Sequence, residues 1–431
     1  MTRALRTIDD MDVEERRVLL RADFDGPLTP ASAGLPGGVA DDTRIRAALP
    51  TIEELRRRGA RLVLVSHLDG PQAPDPAYSM RPVAKRLGRL MGTPMRLAPT
   101  VIGADVVDLT ELLGPGQVLM LENVRFEAGE TRNDPRLASA LAELGDLYVN
   151  DAFASTNMVH ASTSGVARLL PSAAGRLMER EVNALSAIVD EPARPLVGLL
   201  GGARLADKIG VVRRFLELAD VVCIGGGMCF PFLAAGGHPV GQSLCPREDV
   251  GRAGAALREV AGARDRLVVP EDLQLASWGS DASAVSESLD GVDVPDGRLG
   301  LDIGERTAAR YAEAVLTAAT VFWNGPMGRF ELPQFAGGTH VVAEAVASTS
   351  ATTVVGGGQT VDAVRQFGLE ESMNHLSAGG QAMLEFLEGR ELPGVEVLRS
   401  DPPIQSGNAT GPEPDGPAAC RTLTRGSSGR G

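Results

Sequence analysis

Four glycine clusters stand where short apolar runs end: GGAR at 201–204, GGGM at 225–228, NGPMG at 324–328 and GGGQT at 356–360. Glycine at the carboxyl end of a strand lets backbone N–H groups approach an anion, and a following helix adds its positive N-terminal pole. One such loop is more often a tight strand-to-helix turn. Four in one half of a chain exceed what turns require, and they point to a nucleotide phosphate. Neither GxxxxGK[ST] nor GxGxxG occurs, so the pattern is neither a P-loop nor a dinucleotide fingerprint. The first half places charged and polar side chains at strand ends instead: Arg21, Asp23, Asp25, Arg44, His67, Arg125, Asn150 and Asp151. Singly, each reads as a surface or capping residue. Their shared position predicts a small anionic ligand facing the second half. Together the two halves predict phosphoryl transfer by hinge closure.

The elements that must hold these residues alternate. RVLLRADF (17–24), RLVLVSH (61–67), QVLMLENVRF (117–126) and DLYVND (146–151) read as strands, separated by amphipathic stretches such as 45–60, 80–92 and 136–145. The pattern restarts after residue 190 with PLVGLLGG, DVVCIGGG, TVFWNG and TTVVGGG, again separated by helical stretches. Apolar strands with helical crossovers predict α/β architecture, with two doubly wound parallel sheets. The expected division is 1–175, an interdomain helix at 176–192, and 193–400. Residues 401–431 hold 14 Gly, Pro and Ser among 31 and almost no aliphatic residue, which predicts disorder.

Composition narrows the class. The chain has 431 residues, 43% of them hydrophobic, and a net charge of −14, which argues against a general grip on nucleic acid or anionic membrane. No apolar run reaches the ~18 residues of a membrane span, and the N-terminus lacks a signal-like segment. The four cysteines have neither metal-like spacing nor the density of a disulfide framework. The expectation is a cytoplasmic protein. Only two of the 42 basic residues are lysines, Lys85 and Lys208, so an arginine here says little and a retained lysine says more.

At these residues the sequence resembles phosphoglycerate kinase. RADFDGPL, DDTRIRAALPTI, SHLDGP, LENVRF, LGDLYVNDAF, LLGGARLADKI, IGGGM, PDGRLGLDIG, FWNGPMGRFE and LPGVEVL follow the family's motifs in order from about residue 5 to 400. The resemblance implies a usually monomeric enzyme that binds 3-phosphoglycerate in its first domain and MgADP or MgATP in its second. A phosphoryl group would pass between ATP and a carboxylate through an acyl phosphate. Gly202, Ala203, Gly226, Gly227, Gly300, Asn324, Pro326, Glu331 and the run Gly356, Gly357, Gly358, Gln359 and Thr360 fall at nucleotide positions. Asp23, Asp25, Arg44, His67 and Arg125 fall at acid-binding positions. Arg44, Arg204, Lys208, Gly357 and Gly380 would surround the phosphoryl in flight, where positioning and charge neutralisation supply the catalysis.

The departures from the family pattern cluster at the ligands. Gly70 and Met158 stand where arginines are expected, and Asn157 where a histidine is expected. Asp25 and Asp69 add carboxylates. Two lost charge-assisted contacts, at about 1.5–3 kcal/mol each, predict 3-phosphoglycerate binding weaker by roughly two to four decades. Arg132 and Arg168 are candidate compensating cations. Gln359 replaces the carboxylate expected near Mg²⁺, and a neutral amide is a poorer partner for that ion. Gln381 replaces a glycine near the phosphoryl path. These changes leave two alternatives open: a diverged kinase for another small carboxylate, or a catalytically weak nucleotide-binding homologue.

Overall fold

The computed structural model describes residues 4–29, 37–71, 73–259, 266–277 and 285–399. The segment 401–431, expected to be disordered, lies outside the described residues. The first sheet comprises β1 (Arg17–Arg21), β2 (Arg61–Val65), β3 (Arg96–Leu97), β4 (Val118–Met120), β5 (Leu147–Asn150) and β6 (Ser172–Ala174). The chain continues with β7 (Leu196–Leu200), β8 (Val221–Ile224), β9 (Leu267–Val268), β10 (Leu273–Ser277), β11 (Ser286–Leu289), β12 (Arg298–Ile303), β13 (Thr320–Asn324), β14 (Thr352–Gly356) and β15 (His375–Ser377). The strand orders are β3-β4-β2-β1-β5-β6 and β15-β14-β13-β7-β8-β9, and every pairing within these two sheets is parallel. A small antiparallel sheet, β11-β10-β12, which the strand pattern did not reveal, is inserted before β13.

The central strands are buried on both faces, and their composition reflects it. Every residue of β7 (LVGLL) and β13 (TVFWN) is buried. Gly198 interrupts β7 because a Cβ there would sit 2.6 Å from Phe215. Phe215 lies on the crossover helix Ile209–Leu218 and stacks on Phe322 of β13, with ring centroids 4.9 Å apart. The missing side chain is what lets helix and sheet approach so closely.

Strand order reverses on either side of β1 and of β7. Loops leaving β1 and β5, and those leaving β7 and β13, therefore diverge and open crevices at the carboxyl ends. The predicted strand 117–126 stops early, at Met120. Asn123 turns the chain by accepting from Arg125 N (3.0 Å) while its amide donates to Leu68 O (2.8 Å) and Tyr78 O (3.0 Å). That turn is what places Arg125 beside the loop after β2.

Between the sheets runs the helix Arg176–Val189. Asp151, at the end of β5, accepts from Leu177 N (2.8 Å) and Met178 N (3.2 Å), so the first sheet caps this helix directly. Arg176 ties the same end to Asp9, Glu54 and Glu179. The last described helix, Pro393–Arg399, returns to the first sheet's side: Gly394 N donates to Thr156 O (2.8 Å) and Arg6 N to Leu398 O (3.3 Å).

Candidate functional site

On the acid side the strand-end charges converge. Arg21 is fully buried, an arrangement that requires every donor to find a partner. Its Nε donates to Ser162 Oγ (3.0 Å), Nη1 to Ala22 O, and Nη2 lies 3.1 Å from His67 Nδ1. Ser162 is held in turn by Glu130, also fully buried, through Oγ to Oε1 (2.6 Å) and N to Oε2 (2.9 Å). Arg44 forms an ion pair with Asp23, whose other oxygen accepts from Asp25 N (3.0 Å). Asp25 accepts from Asp69 N (2.8 Å), and its second oxygen lies 3.7 Å from His67 Nε2. The two added carboxylates are thus neighbours in one loop-to-loop contact.

Two buried polar atoms in this basin lack partners, Arg125 Nε and His160 Nδ1. Burial, with Arg125 and Arg21 nearby, pushes the His160 imidazole down to about 4, so it stays neutral near pH 7. Arg132 and Arg168, the suggested compensating cations, are both exposed. Gly70 faces open space, with nothing within 4 Å of a side chain built there.

The nucleotide side is built from backbone. Gly202, Ala203, Gly226, Gly227, Gly300, Pro326, Glu331 and Gln359 line one cavity of about 410 Å³ at the carboxyl ends of β7, β8 and β13. A Cβ on Gly226, where φ is +61°, would meet Gly202 N and O at 2.7 Å each, so only glycine lets these two loops touch. Phe230 and Asp302 also line the cavity. Asp302 accepts from Gly338 N (2.8 Å) and Ile303 N (2.9 Å), and burial pushes its carboxyl up to about 7.

Asn324 and the run 356–360 support this cavity from behind. Asn324 Nδ2 donates to Gly356 O (2.8 Å), Thr360 Oγ1 accepts from Gly325 N (2.7 Å), and Asn324 Oδ1 is buried without a donor. Gly357 has φ of +92°, and Gly358 opens the helix Gly358–Gln366. Lys208 Nζ donates to Gly201 O (2.8 Å) and Asn324 O (3.1 Å), and burial pulls its ammonium down to about 8. Arg204 is not gathered with it. Its side chain is 65% exposed and lies 3.8 Å from Asp207.

Between the two sides lies a narrow cleft lined by Asp23 and Arg44, by Phe153 and Glu181, and by Ala378 from the second sheet. Glu181, buried in the connecting helix, accepts from Ser377 Oγ (2.7 Å) and Ala378 N (2.8 Å), and His375 Nε2 lies 3.0 Å away. This anchors the loop that leads to Gly380. Asn157 Nδ2 donates across the cleft to Glu385 Oε1 (3.0 Å), which also accepts from Gln381 Nε2 (3.3 Å). Two departures in sequence therefore meet on one carboxylate. Glu130, Ser162, Glu181 and Glu385 escaped the sequence reading because their partners lie 32 to 228 residues away, beyond any local pattern.

Comparison with known proteins agrees with this geometry. The profile of the family described as phosphoglycerate kinase matches residues 8–390. The chain is 49% identical over 394 residues to a phosphoglycerate kinase of Rubrobacter xylanophilus, covering 91% of this chain and 98% of that one. It is 45% identical to the Frankia alni enzyme of the same name, covering 91% and 100%. The solved phosphoglycerate kinase of Coxiella burnetii superposes with a TM-score of 0.81 at 35% identity, covering 92% of this chain and 99% of that one. The Pyrococcus horikoshii enzyme gives 0.77 at 30% identity, covering 92% and 98%. With two parallel six-stranded sheets, a glycine-walled cavity on one and a buried arginine basin on the other, the chain is a phosphotransferase with a carboxyl group as acceptor and belongs to the phosphoglycerate kinase family.

Proposed function

We propose that the acid is 3-phosphoglycerate, bound in the basin of Asp23, Asp25, Arg44, His67 and Arg125, with Arg21 behind it. The observation that carries this reading is the unpartnered Arg125 Nε, a buried donor beside a second buried guanidinium. Buried cationic donors of this kind suit an anion far better than a neutral group. Relatives named phosphoglycerate kinase over the full span favour this acid over another carboxylate. Arg21 and Arg125 offset part of the charge lost at Gly70 and Met158.

ATP or ADP occupies the cavity of Gly202, Ala203, Gly226, Gly227, Gly300, Pro326 and Glu331, with its phosphates toward Lys208, Asn324 and the loop 356–360. Arg44 from one side and Lys208 from the other neutralise the transferring group. The backbone N–H groups of Gly357 and Gly380 receive its oxygens, and Arg204 swings in from its exposed position. The family uses Mg²⁺ with its nucleotide. Among the described residues no cluster of three acidic, histidine or cysteine ligands exists, so the donors present fit an ion carried mainly by phosphate oxygens. Gln359 and the unpaired Asn324 Oδ1 are the amide oxygens available to it, and the ion, when bound, disperses phosphate charge. The lobes 1–175 and 193–400 close about the helix 176–192. No described helix is long and apolar enough to cross a membrane, and we read the protein as a cytoplasmic monomer.

A coupled assay with MgATP and 3-phosphoglycerate tests the reading. A kcat/KM near about 10⁶ M⁻¹s⁻¹ is expected. Turnover below about 10³ M⁻¹s⁻¹, with hydroxylamine-trapped acyl phosphate formed faster from another acid, would reinstate the diverged-substrate alternative.

A further inference from the structure

The donor-only chemistry of arginine fixes every proton in the buried chain behind the acid basin. Arg21 can donate and never accept, so His67 Nδ1, 3.1 Å from Arg21 Nη2, must be an unprotonated acceptor. The ring proton then sits on Nε2, the nitrogen 3.7 Å from Asp25 Oδ2 at the basin. Ser162 Oγ accepts from Arg21 Nε at 3.0 Å, so its own hydrogen goes to Glu130 Oε1 at 2.6 Å. Glu130 Oε2 takes Ser162 N at 2.9 Å, which fixes the serine from both ends. Arg21, Glu130 and Ser162 are all fully buried.

We infer that Glu130 and Ser162 are positioning residues for the acid site: they hold Arg21 in one orientation, and through it hold His67 as a neutral ring donating from Nε2. The role of His67 toward an acid rests on the proposed function, whereas the lock itself does not. Within reach of His67 are Arg21, Arg44 and Arg125, which oppose its protonation as burial does, and Asp25, which favours it. Three cations and burial against one half-exposed carboxylate leave the ring neutral. Recognition by this histidine is then a donated hydrogen bond that does not switch off as pH passes the usual imidazole range.

Nitrogen-15 histidine NMR of the full chain, without ligand, tests this directly. The sequence has five histidines, and His67→Gln identifies the relevant signals by their loss. The expected spectrum shows a bare Nδ1 and a protonated Nε2, unchanged from about pH 5 to about pH 8. A proton on Nδ1, or titration within that window, overturns the proposal. Ser162→Ala is expected to mix the tautomers and raise the acid KM about tenfold with kcat within about twofold, while Ser162→Thr restores both. Equal effects on KM and kcat, or an unchanged tautomer in Ser162→Ala, overturn the positioning role. Should the variants not fold, the wild-type spectrum alone decides. A locked His67 with no turnover of 3-phosphoglycerate would instead sink the functional reading and leave the lock standing.

Discussion

The two halves of the site bind charge by opposite means. The first lobe buries ionised side chains and supports each with another side chain, as Glu130 supports Ser162 and Ser162 supports Arg21. The second lobe presents little charge beyond Lys208 and relies on backbone and on the absence of side chains, as at Gly202 and Gly226. A side-chain site is specific and costly to build, because every buried charge needs a partner. A backbone site is cheaper in charge but tolerates no Cβ. The lesson is that mutations should separate the two substrates' constants cleanly, each lobe failing in its own way.

The largest effect should come where the two halves meet. Lys208→Ala should lower kcat by at least about 100-fold, in line with removal of a charge-stabilising donor, with KM for the acid little changed. Activity within a few-fold of wild type in the coupled assay would remove Lys208 from the transfer step. Next, Gly226→Ala forces a Cβ into Gly202 backbone atoms and should raise the nucleotide KM by about 100-fold while sparing acid binding. An equal loss at the acid site would dissolve the distinction between the lobes.

Rebuilding charge on the acid side is the converse test. Gly70→Arg enters open space, and one regained charge-assisted contact, about 1.5–3 kcal/mol, should lower the KM for 3-phosphoglycerate about tenfold or more. The nucleotide KM should not move, and an unchanged acid KM would show that residue 70 does not face the ligand.

The pH profile follows from Lys208, whose ammonium is pulled down to about 8. A lysine with a depressed value is cationic below it and neutral above it. The kcat/KM for nucleotide, which reports the free enzyme, should therefore fall as pH rises through about 8. Lys208→Arg should abolish that limb, and a limb that survives the change belongs to another group. Smallest of all, Asn157→Ala removes one half-exposed bridge to Glu385 and should change kcat by no more than about threefold, the scale of a single hydrogen bond.

Much of this was legible in the sequence because it is local. Steric demands at Gly202, Gly226 and Gly357 arise within a turn, and they announce themselves as glycine clusters after apolar runs. The alternation of elements, the positions of the strand-end charges and the scarcity of lysine that drew attention to Lys208 were equally open to reading. What the linear chain could not display was which charges face each other. Arg204 reads like a partner of Lys208 and yet lies exposed against Asp207. Asn157 and Gln381 read as separate losses and yet share Glu385. The sequence by itself determined the two sheets, the order of the phosphate-facing loops and the residue types at the strand ends, because backbone conformation and apolar periodicity are short-range properties. Only the tertiary structure decided the proton directions in the Glu130–Ser162–Arg21–His67 chain and the anchoring of the Gly380 loop on Glu181. Those depend on side chains brought together over as many as 196 residues, where neither spacing nor composition carries a signal.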